Sequence, residues 1–251
     1  MISKKSEQLF EPDKPLEPPH RSSDQRGTYD QRLNHILEAA MGLIARVGYQ
    51  KASMRAVAAA AGVSLAGLYH YFDSKEKILY LIQFRAFNSL LNNLREKLHG
   101  VQDPVEQLQV VVRAHVSYFA ANMAALKVCS HELDSLTGEA YEETRRIRAE
   151  YYQLTRSIVD RVLDTHAPKS TADGHVATMS LFGMLNWLYR WYNPKQTRSA
   201  TAVAGQIAAL FLHGLLGTSA PSPPVCDPAD GRKPGPSKLD VDNEPECPPQ
   251  R

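Results

Sequence analysis

Cysteine is scarce in this 251-residue chain, which has only Cys129, Cys226 and Cys247. None of the three lies in a Cys-x-x-Cys pair or a Cys/His cluster, so the sequence offers no readable zinc site. A scattered, odd-numbered set is typical of a reducing compartment rather than of a secreted disulfide framework. Pairing of Cys226 with Cys247 is the less favoured alternative.

Proline is nearly absent from the middle of the chain. Of 16 prolines, four lie in residues 1–27, nine in residues 218–251, and only Pro104, Pro168 and Pro194 between them. This distribution predicts a disordered tail over 1–27, a disordered proline-rich tail over 218–251, and a globular unit of about 190 residues between the tails. The net charge of +2 is too small to indicate a nucleic-acid partner by itself.

Long apolar runs and catalytic motifs are also lacking. Residues 176–189 and 203–217 are too short or too polar to span a bilayer, and residues 1–20 lack an apolar signal segment. We therefore expect a soluble, cytoplasmic protein.

The chain has no GxSxG, HExxH or phosphate-loop motif, so we expect no enzyme, no metal and no cofactor. We expect each of the scattered histidines to be a surface or hydrogen-bonded residue, namely His99, His115, His131, His166, His175 and His213.

Helical periodicity fills the middle of the chain, whereas the alternating patterns of strands are missing. The sequence predicts an all-α fold with about nine helices, with Ser53, Ser64 and Asp103 among the caps. The predicted helices cover about 33–47, 54–60, 65–71, 74–98, 104–121, 123–136, 138–165, 171 or 173 to before 194, and 199–216.

Residues 31–72 have the shape of a helix-turn-helix, because two short helices are joined by a tight turn at Gly62. The alternative is an ordinary helical corner. Tyr69, His70 and Tyr71 favour the first interpretation: with Leu68 and Phe72 facing the core, these three point outward, where they suit phosphate oxygens.

Residues 30–77 resemble the DNA-binding domain of the TetR/AcrR family of bacterial transcriptional repressors. The matching segments are Ile36-Leu37-Glu38-Ala39-Ala40, Gly48-Tyr49, Ser53-Met54-Arg55-Ala56-Val57-Ala58, Ala61-Gly62-Val63-Ser64, Leu68-Tyr69-His70-Tyr71-Phe72 and Ser74-Lys75-Glu76. The resemblance implies a helix-turn-helix domain over 28–77, a ligand-binding and dimerisation domain over 78–217, and a nucleoid-associated repressor released from DNA by a small-molecule effector.

The resemblance also assigns DNA-binding roles by position. Ser53 would touch phosphate, Arg55 would lie near the DNA backbone, and Tyr69, His70, Tyr71 and Lys75 would clamp phosphates, with His70 also able to reach a base. The helix that reads bases would open with Ser64, Leu65, Ala66 and Gly67. The sequence departs from the family at Leu65, often lysine, and at Gly67, often threonine or asparagine. The domain carries a charge of only +2, so we expect a dimer on a palindromic double-stranded operator.

The segment from Asn186 to Pro194 contains both tryptophans, Trp187 and Trp191. Its main interpretation is a dimer seam formed by the last two helices, with Ala204, Ile207, Ala208, Phe211 and Leu215 as the other half. Arg190 suits an anionic, phosphate-bearing partner. Tyr141, Arg145, Arg148 and Tyr152 share one face of the seventh helix, which is either a second ligand contact or a solvated face.

Ser64 to Tyr69, Arg148 to Tyr151 and Gly183 to Tyr192 resemble one branch of the family, which includes repressors of fatty-acid and steroid-ring degradation. That resemblance implies an acyl-CoA thioester effector. The alternatives are a neutral aromatic or drug-like effector and a ligand-independent helix-turn-helix protein. The ligand-binding candidates are Phe119, Met123, Leu126, Arg145, Arg148, Tyr151, Tyr152, Phe182, Asn186, Trp187, Arg190 and Trp191.

Overall fold

The computed structural model describes residues 23–168, 170–193, 195 and 198–217, with side chains from Tyr29 onward. Within these ranges the chain is helical and contains no strand. The helices are α1 (Ser23–Val47), α2 (Met54–Ala60), α3 (Leu65–Tyr69), α4 (Lys75–Leu98), α5 (Pro104–Ala121), α6 (Met123–His131), α7 (Gly138–His166), α8 (Gly174–Asn186), α9 (Leu188–Trp191) and α10 (Ala200–Leu216), with a 3-10 turn at Leu133–Ser135.

The predicted all-α fold is confirmed, and each of the nine predicted helices is found. The eighth is divided into α8 and α9 at Trp187, whose N–H bonds to the Leu185 carbonyl and so tightens the turn. The sixth ends at His131 instead of residue 136, and α1 begins at Ser23, within the predicted tail. The two predicted tails otherwise lie outside the described residues, as do Cys226 and Cys247.

Serine and aspartate caps fix where the short helices begin. The Ser53 and Ser64 hydroxyls accept hydrogen bonds from the backbone N–H groups of Ala56 and Gly67, at 3.1 and 3.0 Å. Ser74 caps α4 in the same way, and Asp103 caps α5. Each cap satisfies an N–H that the helix itself leaves without a partner, which stabilises the start by about 1 kcal/mol.

Two hydrophobic clusters divide the described chain. The first joins α1, α2, α3 and the beginning of α4, and also includes Val128 and Leu136 from the other half. Leu68 and Phe72 are fully buried in it, which confirms their predicted inward direction. The second cluster joins the rest of α4 to α5–α10. Because α4 contributes to both clusters, a displacement of α4 reaches the helix-turn-helix directly.

The predicted role of the α10 stripe is wrong. Ala204, Ile207, Ala208, Phe211 and Leu215 are all buried within the subunit, where α10 packs against α5 and the second cluster. The opposite face of α10 exposes Leu210, at 71% of its surface. The helix is apolar on most of its circumference, so its sequence did not distinguish the inward face from the outward one. No helix within the described ranges is long and apolar enough to cross a membrane.

Candidate DNA-binding surface and effector site

The turn between α2 and α3 positions the predicted base-reading residues. Gly62 has φ +63°, a left-handed conformation that glycine adopts without steric cost. The turn brings Ser64 to the start of α3, where Ala66 is exposed, whereas Leu65 is half-buried against the first cluster. An apolar side chain at this position can contact a thymine methyl, and Ala66 is the more accessible of the two apolar candidates, Leu65 and Ala66.

The aromatic segment after the turn has one exposed and one packed side. Tyr69 is 51% exposed and His70 is exposed. Tyr71, in contrast, stacks on Tyr29 of α1 with 4.8 Å between the ring centroids. Tyr71 is therefore only partly exposed, because α1 supplies an aromatic partner that lies outside the motif, and its phosphate contact stays a prediction.

The remaining phosphate candidates differ in their surroundings. Ser53 and Arg55 are exposed at the start of α2. The Lys75 ammonium donates to the Tyr49 carbonyl at 3.0 Å and lies 4.1 Å from the Tyr49 ring centroid. Lys75 therefore ties the start of α4 to the turn after α1, and its phosphate contact stays a prediction.

Polar contacts that the sequence did not reveal tie α4 to the beginning of α7. The Glu76 carboxylate accepts hydrogen bonds from the N–H and hydroxyl of Thr137, at 2.7 and 2.8 Å. The Tyr80 hydroxyl donates to Glu143 at 2.6 Å. Burial, and after it this hydrogen bond, raises the pKa of Tyr80. These contacts hold the helix that carries the helix-turn-helix against the C-terminal half.

Glu132, just after α6, connects three elements. Its carboxylate accepts from the N–H of Tyr49 at 3.0 Å and from the hydroxyl of Ser135 at 3.1 Å. Its carbonyl accepts from the side chain of Gln83, which is fully buried in α4. A glutamate after a helix has no distinctive sequence pattern, so only the fold reveals this role.

Arg148 of α7 is the partly buried end of the same network. Its guanidinium donates to the Cys129 carbonyl at 2.8 Å and to Gln83 at 3.4 Å, and lies 4.8 Å from the Phe87 ring centroid. Within the described ranges it has no ion pair with a carboxylate. Burial lowers the pKa of Arg148. Such a guanidinium retains donor capacity for an anionic ligand.

The structure does not bring Arg145 to this network. Arg145 pairs with Glu142 at 3.5 Å on the surface of α7, and its side chain is 66% exposed. Arg145 is therefore exposed to solvent, which agrees for this residue with the alternative of a solvated face rather than a ligand contact. Tyr152 instead contacts His175 of α8, at 2.6 Å between hydroxyl and Nδ1.

Several of the predicted pocket residues meet in the second cluster, around His115 of α5. The His115 ring centroid lies 4.8 Å from that of Phe119, 6.0 Å from Tyr151 and 6.2 Å from Phe182. We call these four residues the aromatic cluster. Phe87 meets the edge of Tyr151 at 6.3 Å, which joins the aromatic cluster to Arg148. Leu126 is buried in the surrounding core, and Met123 is packed against it.

The expectation that His115 is a surface or hydrogen-bonded histidine is only half right. His115 is 2% exposed, and its Nδ1 lies 3.2 Å from the Tyr151 hydroxyl. Its Nε2 is buried and has no hydrogen-bond partner among the residues that the structure describes. Burial lowers the pKa of His115 to about 3, and a side-chain hydrogen-bonding interaction with Asn186 opposes that shift, although it does not meet the geometry of an ordinary hydrogen bond.

A basic cleft lies where the two halves of the chain meet. This junction cleft has a volume of about 300 Å³ and is bordered by the end of α1, by α6 and by α9. Exposed Arg46, Lys127 and Arg190 line it, together with Glu132. Arg190 lies 5.6 Å from the Trp187 ring centroid. Three permanent cations against one hydrogen-bonded carboxylate make the cleft attractive to an anion.

Exposed apolar side chains concentrate on α8, α9 and α10. Val176, Met179, Trp187, Trp191 and Leu210 are between 48 and 71% exposed. Between Val176 and Leu210 lies a mostly apolar depression of about 350 Å³. Clustered apolar exposure of this kind marks an interaction surface.

Within the described ranges no three His, Cys, Asp or Glu side chains are grouped so as to hold a metal ion.

The comparisons with known proteins concern both halves of the chain. A model of the tetR family of bacterial regulatory proteins matches residues 36–80, and a model of the tetracyclin repressor-like C-terminal domain matches residues 101–215.

Two curated relatives cover most of the chain. The transcriptional repressor KstR2 of Rhodococcus jostii (strain RHA1) is 25% identical over 185 residues, which are 73% of this chain and 91% of the relative. The fatty acid metabolism regulator protein of Bacillus subtilis (strain 168) is 23% identical over 181 residues, 72% of this chain and 93% of the relative.

Two solved structures are similar in sequence and in fold. The TetR-family regulator PfmR from Thermus thermophilus is 33% identical with a TM-score of 0.64, over 71% of this chain and 97% of PfmR. AibR, solved in complex with isovaleryl coenzyme A and operator DNA, is 26% identical with a TM-score of 0.64, over 74% of this chain and 98% of AibR. The protein described here belongs to the tetR family of bacterial regulatory proteins.

Proposed function

We propose that this protein is a dimeric transcriptional repressor that binds a palindromic operator and is released from it by an acyl-CoA thioester. The observation that carries the effector assignment is the combination of a buried aromatic cluster, an Arg148 that has no carboxylate partner in the described ranges, and a basic junction cleft. An acyl-CoA has an apolar chain and a phosphate-rich end, so it needs both environments.

DNA binding follows from the exposed part of the helix-turn-helix. Ala66 and Tyr69 are presented on α3, which enters the major groove, while Ser53, Arg55 and His70 lie where phosphates pass. Because each copy offers few base contacts, two copies on two half-sites supply the specificity.

The exposed apolar surface of α8–α10 supports a dimer through the last helices. Val176, Met179 and Leu210 would be covered by the same residues of a second copy, as expected for a two-fold interface. The exposed glycines Gly183 and Gly205 allow close approach of the facing helices. Trp187 and Trp191 extend this surface towards the junction cleft.

The junction cleft is the most suitable binding site for the phosphates of the effector, because three basic side chains line it. Arg46 belongs to α1, Lys127 to α6 and Arg190 to α9. An anion held by these three side chains contacts the helix-turn-helix domain and the C-terminal half at once. The acyl group would lie in the aromatic cluster.

The polar network explains how such a ligand would change DNA binding. An acyl group between Tyr151 and Phe182 displaces Phe87, and Arg148 packs against Phe87. Arg148 in turn holds both Gln83 of α4 and the end of α6. Shifting α4 alters the separation of the two recognition helices in the dimer. The ligand must bind the non-DNA form better, and linkage makes the antagonism mutual.

Selection of binding sites from random DNA, followed by effector titration, tests the proposal. We expect a palindromic sequence whose half-sites are about one helical turn or a multiple apart, and loss of binding on addition of an acyl-CoA. Variants Arg190→Gln and Arg148→Gln should weaken the response to acyl-CoA. A response that is unchanged in both variants would favour a neutral effector instead. The matched control is Arg113→Gln, which lies in a different cleft, between α4 and α5.

A further inference from the structure

His115 is an unusual residue for the centre of a hydrophobic cluster. Its ring is surrounded by Phe119, Tyr151 and Phe182, and it is 2% exposed. A buried nitrogen without a hydrogen-bond partner costs folding free energy, so such atoms are rare in native structures. The Nε2 atom makes no hydrogen bond of ordinary geometry in the described part of the chain, and is therefore better explained by a ligand than by stability.

We assign the tautomer of His115 from its contact with the Tyr151 hydroxyl. Burial raises the pKa of Tyr151, so its hydroxyl remains a donor. At 3.2 Å it faces Nδ1 of His115, and a phenol donates readily to an imidazole lone pair. Nδ1 then acts as the acceptor, which leaves the hydrogen on Nε2. The Nε2 atom is thus an N–H donor that needs an oxygen acceptor.

Asn186 marks the route from the surface to this donor. It is the last residue of α8, directly before the break at Trp187, and it is exposed. Its side chain nevertheless lies close enough to the buried His115 to affect the pKa of the imidazole. A ligand that takes the place of the Asn186 amide would reach His115 from the exposed end of α8.

We propose that Nε2–H of His115 donates a hydrogen bond to the thioester carbonyl oxygen of an acyl-CoA that enters past Asn186. This inference rests on the proposed acyl-CoA effector and identifies the residue that recognises its thioester group. The carbonyl oxygen is the hydrogen-bond acceptor nearest to the acyl chain. His115 therefore distinguishes an acyl thioester from an alkyl group of the same length.

A pair of ligands tests the assignment: an acyl-CoA thioester and the S-alkyl-CoA thioether with the same number of carbons, which lacks only the carbonyl oxygen. Binding is followed by calorimetry with the full chain. We expect wild type to prefer the thioester by roughly five- to tenfold, the worth of one neutral hydrogen bond. His115→Leu should bind both ligands equally, and His115→Gln, which keeps an N–H donor, should restore part of the preference. His99→Gln, at the exposed end of α4, is the matched control and should behave like wild type.

A spectroscopic measurement keeps the inference testable if His115→Leu does not fold. The thioester carbonyl is labelled with ¹³C, and its infrared stretching frequency is measured for the ligand bound to wild type. This frequency should be lower than that of a carbonyl without a hydrogen bond, because the bound oxygen accepts one from His115. An unshifted carbonyl, or equal wild-type affinity for thioester and thioether, would overturn the role of His115 while leaving the acyl-CoA proposal intact. No wild-type binding of any acyl-CoA would overturn both.

Discussion

The Glu132 carboxylate accepts a hydrogen bond from the Tyr49 backbone N–H at 3.0 Å, and so joins the end of α6 to the turn after α1. These residues are 83 positions apart in the chain. The contact is a direct link between the proposed effector half and the helix-turn-helix, and it is half-buried, so its loss has consequences for stability and for signalling.

Glu132→Ala should lower the free energy of unfolding by about 1–3 kcal/mol, because it leaves the Tyr49 N–H without its partner. It should also reduce, several-fold, the effect of acyl-CoA on operator affinity. Urea denaturation and operator binding with and without ligand measure the two effects. Glu142→Ala removes an exposed ion pair with Arg145 and should change stability by less than about 1 kcal/mol. Unaltered ligand response in Glu132→Ala would show that the link does not carry the signal.

Arg55→Gln should weaken operator binding uniformly across sequences, because Arg55 is predicted to contact phosphate rather than bases. For a dimer that loses one phosphate contact per copy, the slope of log affinity against log salt should fall in magnitude by about 2. Fluorescence anisotropy at several salt concentrations gives the slope. A change in which bases are preferred, with the salt slope intact, would place Arg55 at the bases instead.

Leu210→Lys should convert the dimer to a monomer and reduce operator affinity by at least about tenfold, because it places a charge in the centre of the proposed interface. Leu210 is 71% exposed in the subunit, so the monomer should remain folded. Light scattering after size-exclusion chromatography reports the mass. The control Ser117→Lys adds the same charge to the exposed surface of α5 and should leave the mass unchanged; a dimeric Leu210→Lys would place the interface elsewhere.

His115 should make the protein sensitive to mild acid. Its pKa is lowered to about 3 in the folded chain from an ordinary value of 6.5. The unfolded chain therefore binds an extra proton below pH 6.5, so this contribution to stability is present above that pH and declines as the pH falls towards 3. Between pH 6.5 and pH 5 the loss should be roughly 1.5 kcal/mol.

The comparison of wild type with His115→Phe isolates this effect, since all other groups titrate equally in both. Urea denaturation at fixed protein concentration should show a steeper loss of stability in wild type as the pH is lowered. Parallel curves for the two proteins would mean that His115 is accessible to protons in the folded state.

Local patterns in the sequence were sufficient for most of the fold. The caps at Ser53 and Ser64 and the inward pair Leu68 and Phe72 each depend on residues within one turn of helix, so their positions were predicted correctly. The α10 stripe failed because an apolar helix has no polar face to orient it. The stacking of Tyr71 was not predicted for a different reason: its partner, Tyr29, comes from outside the motif.

Sequence patterns could not identify the residues whose hydrogen bonds connect the helix-turn-helix half to the C-terminal half. Glu132, Gln83 and Glu76 contact partners between 49 and 83 residues away, and their local sequence does not reveal those partners. His115 was underestimated because a scattered histidine is usually at the surface. Only the packing of α5 against α7 and α8 shows that its ring is enclosed by aromatic side chains.

The central claim is that a thioester of coenzyme A releases the protein from its operator. The most direct measurement is anisotropy of labelled operator DNA bound to wild-type protein, titrated separately with acyl-CoAs, with the matching free acids and with coenzyme A alone. The account predicts release by an acyl-CoA at concentrations where the free acid and coenzyme A have no effect. Release by free acids as readily as by thioesters, or by none of the three, would contradict it.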